Sequence, residues 1–253
     1  MMNPVNTATK PIPTFHALGE KAVIIAFGET IDPAIAKLIR QLNDVILENP
    51  FPGFITAVPS YTSLCIHYDP ILVVPKNVRL SKSIQQLVVD QLLERFKNLH
   101  NDSEKELERV QIPVCYGGIF GPDLDFVAKH HEITAKEVIE VHCAATYLVY
   151  MMGFMPGFAY LGGMDKQLTT SRKETPRAKV PAGAVGIAGE QTGIYPLESP
   201  GGWQLIGQTP QRLFDPNQPN PILLKSGMEI QFVAISEEEF HAYQNNEYGN
   251  SHS

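Results

Sequence analysis

An α+β N-terminal domain followed by a mainly-β domain, a closed barrel or a sandwich, is the fold class this sequence predicts, and two contrasts predict it. Glycine placement is the first: of 19 glycines, 11 lie between Gly153 and Gly207 and none between Ile55 and Val114. Apolar periodicity is the second. Helical spacing dominates the first hundred residues, whereas the second half breaks into short apolar runs set off by Pro and Gly. A length of 253 residues allows two modest domains, and 43% apolar content supports a real core. The expected division is 1–100 for the first domain, 101–109 for a linker, 110–245 for the barrel and 246–253 for a disordered tail.

In the first half, AVIIAF (22–27) reads as a buried strand. A helix follows, with Asp32 as N-cap and Pro33 in the first turn, where a missing N–H costs nothing. Ile35, Leu38, Ile39, Leu42, Val45 and Ile46 mark its buried face, and Pro50 and Pro52 stop it. Strands are expected over 54–58 and 63–68, joined at Pro59–Ser60–Tyr61. A second helix is expected over 84–99, with Ser83 and Gln86 as a capping box and Ile84, Leu87, Val88, Leu92 and Phe96 as its stripe. The polar run NDSEKELE (101–108) reads as the linker, and a strand over 109–115 would close the small α+β layer.

Beyond Val110 the pattern predicts helical stretches over 123–131 and 135–142, then an apolar run over 144–152. Strand-like pieces follow at 184–188, 203–207, 222–224 and 229–235, which together suggest a closed barrel or a sandwich. Ser236 and Glu239 suit the cap of a final helical turn.

A net charge of −7 argues against a general nucleic-acid binder, which needs a basic face. No apolar run is long enough for a membrane span, and the N-terminus has no secretory pattern. Cys65, Cys115 and Cys143 each sit in an apolar stretch and read as buried thiols of a reducing compartment, the cytoplasm.

Chemistry concentrates in three glycine-rich stretches, GFMPGFAYLGG, PAGAVGIAG and SPGGW. Glycine permits close backbone approach to a ligand, proline fixes the path, and aromatics can wall a pocket. Gly157, Phe158, Gly183, Gly202 and Trp203 are therefore candidate ligand contacts, with Gln191 and Tyr195 adding polar tips. Barrel corners are the alternative for each stretch taken singly. Between the first two lies SRKETPRAK, whose Arg172 and Arg177 can hold a carboxylate or phosphate in planar fashion; solvated loop charge is the alternative. Asp123 reads as the cap of the helix beginning at Leu124, with general base as the other role. His130, His131 and His142 lack metal-site spacing, so no metal is expected, and no P-loop is present.

These residues carry a resemblance. The combined GFxPGFxYLGG, TPRxxVPAG, QTGIYP and SPGGWQLIG elements are similar to those of the PxpB/KipI family, strongly over 112–239. The resemblance implies a cyclophilin-like barrel after a small α/β domain. It also implies a subunit of a heteromeric enzyme, working with PxpA- and PxpC-type partners to open 5-oxoproline, a cyclic amide, to glutamate. ATP would be a co-substrate of that complex, with any Mg2+ bound elsewhere than in this chain. Arg172 and Arg177 would meet the substrate carboxylate, and backbone N–H groups of the glycine corners its ring carbonyl. One branch of the family inhibits a histidine kinase, which is the alternative partner. Ser171, Ala184 and Gln208 depart from the family pattern, where proline, serine and a basic residue are usual.

Overall fold

Asp32 starts the first long helix as its side chain accepts a hydrogen bond from the Ala34 N–H at 2.7 Å. That helix, α1 (Pro33–Glu48), buries Leu38, Ile39, Leu42 and Ile46 along one face. The computed structural model describes residues 11–74, 81–99 and 107–250. Within it the chain divides into two compact units, Met1–Glu104 and Lys105–Ser253.

The first unit is a four-stranded antiparallel sheet in the order β1-β2-β4-β3, built from β1 (Thr14–Ala17), β2 (Ala22–Ala26), β3 (Phe54–Pro59) and β4 (Ser63–Tyr68). Alternation sets its faces: Val23, Ile25, Leu64, Ile66 and Tyr68 are buried and pack with the apolar stripes of α1 and α3 (Ile84–Lys97). Strand β1 and the short helix α2 (Pro70–Val73), capped by Asp69, carry too little periodicity to be read from sequence. Ser83 caps α3 by accepting from the Gln86 N–H, but the Gln86 side chain donates forward to Asp90. The expected reciprocal capping box is thus only half made, because an acceptor one turn ahead competes for the amide. Most of the expected linker, 101–106, lies outside the described residues.

The second unit is a closed barrel with strand order β10-β7-β6-β13-β5-β12-β9 among the described residues. Its strands are β5 (Arg109–Tyr116), β6 (Tyr147–Met152), β7 (Ala159–Gly162), β9 (Ala184–Ala188), β10 (Gln191–Ile194), β12 (Gln204–Gln208) and β13 (Glu229–Ile235). A separate ribbon pairs β8 (Arg177–Val180) with β11 (Ser199–Gly201). Strand β5 belongs to the barrel, paired in parallel with β13 and antiparallel with β12, so it does not close the N-terminal layer as its position in the chain suggested. A long parallel partner far downstream in the chain decides its place, and local pattern carries no trace of it. The segment 222–224 forms only an isolated bridge, Phe214 with Ile222, and no strand.

Ile112, Val114, Val149, Leu161, Val185, Ile187, Ile206, Ile230 and Phe232 fill the core. Helices α4 (Leu124–His130) and α5 (Ala135–Ala144) precede β6, and Thr134 and Glu137 make a full capping box for α5. Ser236 and Glu239 cap one another reciprocally, and α6 runs over Glu237–Asn250. That helix replaces the single turn expected there and the first part of the expected disordered tail; three acidic residues in its first turn favour the helix dipole. Of the three free thiols only Cys115 is buried; Cys65 and Cys143 are half-buried, contrary to expectation, because they sit on sheet and helix faces turned partly outward. No helix among the described residues is long and apolar enough to cross a membrane.

Candidate functional site

Two glycines directly opposite each other, Gly186 on β9 and Gly193 on β10, make the bed for the only tryptophan. A Cβ on Gly193 would lie 3.0 Å from the Trp203 ring, and one on Gly186 3.1 Å from the Trp203 Cβ, so side chains there would lift the indole off the barrel. Gly201 is constrained in the same way, by the Tyr195 phenol. Phe158 stands in the middle of this aromatic group. It meets Tyr160, Tyr195 and Trp203 edge to face, with centroids 4.9, 5.6 and 5.9 Å away, a geometry worth more than area burial alone. Phe154 adds a fourth edge contact at 5.5 Å while remaining 67% exposed. Its backbone is left-handed, with φ +70, a conformation that costs a non-glycine residue energy and that the tight turn leading into Pro156 imposes.

These aromatics wall a cavity of about 260 Å³, whose remaining lining includes Arg172, Lys173, Pro176, Pro200, Gly201 and Gly202. The basic loop is held against the glycine corner by a Lys173 N–H to Gly202 C=O bond of 2.8 Å. Aromatic faces and edges beside two cations can take a flat or cyclic group with an attached carboxylate.

Asp123 organises the charges. It occupies the position before α4, yet its side chain makes no cap hydrogen bond. Both carboxylate oxygens instead accept from Arg177 Nη2, at 2.6 and 2.7 Å. One also accepts from the Leu205 N–H at 2.7 Å, and Lys173 Nζ stands 3.4 Å away. The preferred capping role is thus corrected: a buried carboxylate gains more from a guanidinium than from a helix N–H. Arg177 reaches toward the Trp203 carbonyl at 3.4 Å with its other nitrogen. Tyr195, buried at the same wall, has its phenol pKa raised by burial, opposed by a backbone hydrogen bond from Trp203 and by the Arg172 and Arg177 charges.

Of the residues singled out from the sequence, the fold brings Phe158, Arg172, Tyr195, Gly202 and Trp203 to this one cavity. Arg177 is not among its lining residues and its guanidinium is engaged by Asp123; the cations in the lining are Arg172 and Lys173. Gly157 packs against Phe214 and Pro196. Gly183 lines a second pocket of about 200 Å³ with Gln208, Thr209, Gln211 and Arg212. Gln191 opens β10 opposite Ala188 and is not among the cavity's lining residues. Phe154, Tyr160 and Lys173 escaped the sequence reading, although all three stand inside stretches that drew attention for their aromatics and cations.

The histidines go elsewhere. His131 bonds Thr170 at 3.0 Å, and no group of three His, Cys, Asp or Glu among the described residues is placed to hold a metal. His142 is wholly buried between Tyr116 Oη, 2.8 Å from Nδ1, and Thr192 Oγ1, 2.9 Å from Nε2. Thr192 donates to the Gly186 carbonyl, so it accepts from Nε2–H, and Nδ1 accepts from the Tyr116 hydroxyl. The Cys143 thiol donates to that hydroxyl at 3.5 Å. The imidazole is neutral, its pKa lowered by burial from 6.5 to about 3.

The family model for the carboxyltransferase domain, subdomain C and D, matches residues 13–224. The B component of 5-oxoprolinase from Bacillus subtilis is 46% identical over 90% of this chain and 95% of its own length. The 5-oxoprolinase B component of Escherichia coli O157:H7 is 40% identical over 88% and 96%. Among solved structures, TTHA0988 superposes with a TM-score of 0.71 at 35% identity over 85% of this chain, which spans 40% of that protein's length.

Proposed function

This chain belongs to the carboxyltransferase subdomain C and D family, in its PxpB/KipI group, and on that premise we propose that it is the B-type subunit of a 5-oxoprolinase. The observation that carries the reading is the aromatic cavity with Arg172 and Lys173 at one side. 5-Oxoproline is a five-membered lactam bearing one carboxylate. Its ring suits the wall formed by Phe158, Tyr195 and Trp203, and its carboxylate suits Arg172, with Lys173 as a second cation. Backbone N–H groups of the Gly201–Gly202 corner are the nearest candidates for the ring carbonyl.

A lactam carbonyl is a poor electrophile. Transfer of the γ-phosphoryl group of ATP to its oxygen activates the carbon; one water adds there and the C–N bond breaks to give γ-glutamyl phosphate, which a second water hydrolyses with release of phosphate. The ring nitrogen leaves as the amine of glutamate, with ADP and phosphate as the other products. The sequence has no P-loop, and we assign the ATP-dependent step and any Mg2+ to the complex formed with PxpA- and PxpC-type subunits. Family membership also favours a cyclophilin-like identity for the barrel, a separate α+β domain before it, and a cytoplasmic location.

Co-expression with A- and C-type partners from the same source tests the reading. Glutamate release and ATP hydrolysis that both depend on 5-oxoproline are expected, and Arg172→Ala should lower both through a higher KM. An assembled complex that leaves 5-oxoproline intact would falsify the proposal. Inhibition of a histidine kinase by the isolated chain would then favour the KipI-like alternative.

A further inference from the structure

Asp123 does not line the cavity but stands beside a residue that does. Lys173 lines the cavity, and its Nζ stands 3.4 Å from Asp123. Arg177 sits just behind, with one nitrogen on the Trp203 carbonyl and the other on both oxygens of the same carboxylate. The Asp123 side chain is 8% exposed, against 24% for Arg177 and 32% for Lys173, so this is a carboxylate enclosed by two cations that remain partly open. Arg172 and Lys173 line the cavity, and one buried negative charge, Asp123, answers Lys173 and Arg177.

We infer that Asp123 is a positioning residue that sets the anion selectivity of the cavity: by neutralising Arg177 and drawing on Lys173, it leaves a site matched to a single carboxylate and not to two. The inference rests on the 5-oxoprolinase reading for its substrate and gives it a chemical purpose. The lactam carries one carboxylate, whereas the ring-opened product carries two. A wall with Arg177 free would hold the second carboxylate and retain the product. With Arg177 engaged and Lys173 shared with the same carboxylate, Arg172 meets one carboxylate, and the second carboxylate of the opened product meets a weakened charge. Tyr195, whose phenol feels both Arg172 and Arg177, places the two guanidinium charges within electrostatic reach of the same cavity wall.

The only tryptophan lies in that wall and reports on it. In the full chain, quenching of Trp203 fluorescence by iodide, relative to neutral acrylamide, reads the local charge whatever the natural substrate is. Asp123→Asn should raise the iodide-to-acrylamide ratio about twofold or more, and Arg177→Gln should lower it by a similar factor. The double variant should return close to the original, as a charge-coupled pair requires. Arg177→Lys, which keeps the charge, should stay near the parent value.

Binding is measured on the same variants with 5-oxoproline as the monocarboxylate and glutarate as the dicarboxylate. Asp123→Asn should shift the preference toward glutarate by about fivefold. Equal quenching in all folded variants, or a shift of both single variants in one direction, overturns the inference. If Asp123→Asn does not fold, an unchanged ratio in Arg177→Gln overturns it alone. Quenching that moves as expected while no variant binds 5-oxoproline upholds the charge-setting role and sinks the substrate reading instead.

Discussion

The barrel unit holds two buried polar clusters, and their difference separates structure from chemistry. Around His142 the side-chain hydrogen bonds run in one direction and end on a backbone carbonyl: Cys143 to Tyr116 to His142, then Thr192 to Gly186. The cluster is neutral, and Phe232 stacks on the imidazole at 4.5 Å. The cluster around Asp123 is charged, and one of its members, Lys173, also lines a cavity. A closed neutral network ties α5 to β5 and β10. An ion pair with an open side shapes what can enter next to it.

Four measurements bear on that contrast. The largest effect is expected for His142→Ala, which leaves a cavity and strips partners from Tyr116 and Thr192; a loss of about 4 kcal/mol in denaturant unfolding is expected, with no specific effect on ligand selectivity. Acid follows. His142 titrates near 6.5 when unfolded and near 3 when folded, so the unfolded chain takes up its proton first as pH falls. Its contribution is fully present above pH 6.5 and declines by about 1.4 kcal/mol per unit below that, until pH 3. Melting curves should show this slope in the parent protein, and His142→Ala should have a shallower one. An identical slope in the two proteins would remove the histidine from the account.

Asp123→Ala should cost about 2–3 kcal/mol, because it removes the acceptor of the Leu205 N–H and the counter-charge of a half-buried guanidinium. Unlike the histidine variant, it should also alter anion binding. Smallest in stability is Arg172→Ala, with a change within about 0.5 kcal/mol because the side chain is exposed, yet a roughly tenfold weaker Kd for 5-oxoproline by titration calorimetry. A stability loss as large as that of Asp123→Ala would mean that Arg172 holds the loop and does not face a ligand.

Much of this organisation was legible in the sequence where the signal is local. Asp32–Pro33 and Ser83 start their helices as expected, and the stripe from Leu38 to Ile46 is buried. The strands at 184–188 and 229–235 appear with the expected bounds. The site was half legible. Phe158, Arg172, Tyr195, Gly202 and Trp203 converge, because aromatics and cations beside glycine corners are what a pocket needs. Arg177 misled, since a guanidinium looks the same in sequence whether it meets a ligand or a carboxylate 54 residues away. Asp123 misled for the complementary reason: a cap position predicts where an acid stands in the chain and not where its oxygens point.

The sequence by itself determined the helices α1, α3, α4 and α5, the strand alternation, and the concentration of glycine, aromatic and cationic residues in one half of the chain. These follow from backbone preferences and burial periods that act over a few residues. Only the tertiary structure decided that β5 lies beside β13, that Gly186 and Gly193 come together under Trp203, and that Asp123 answers Arg177. Each joins residues distant in the chain, and the energy that selects it, close packing in one case and charge pairing under low solvation in another, exists only once the barrel has closed.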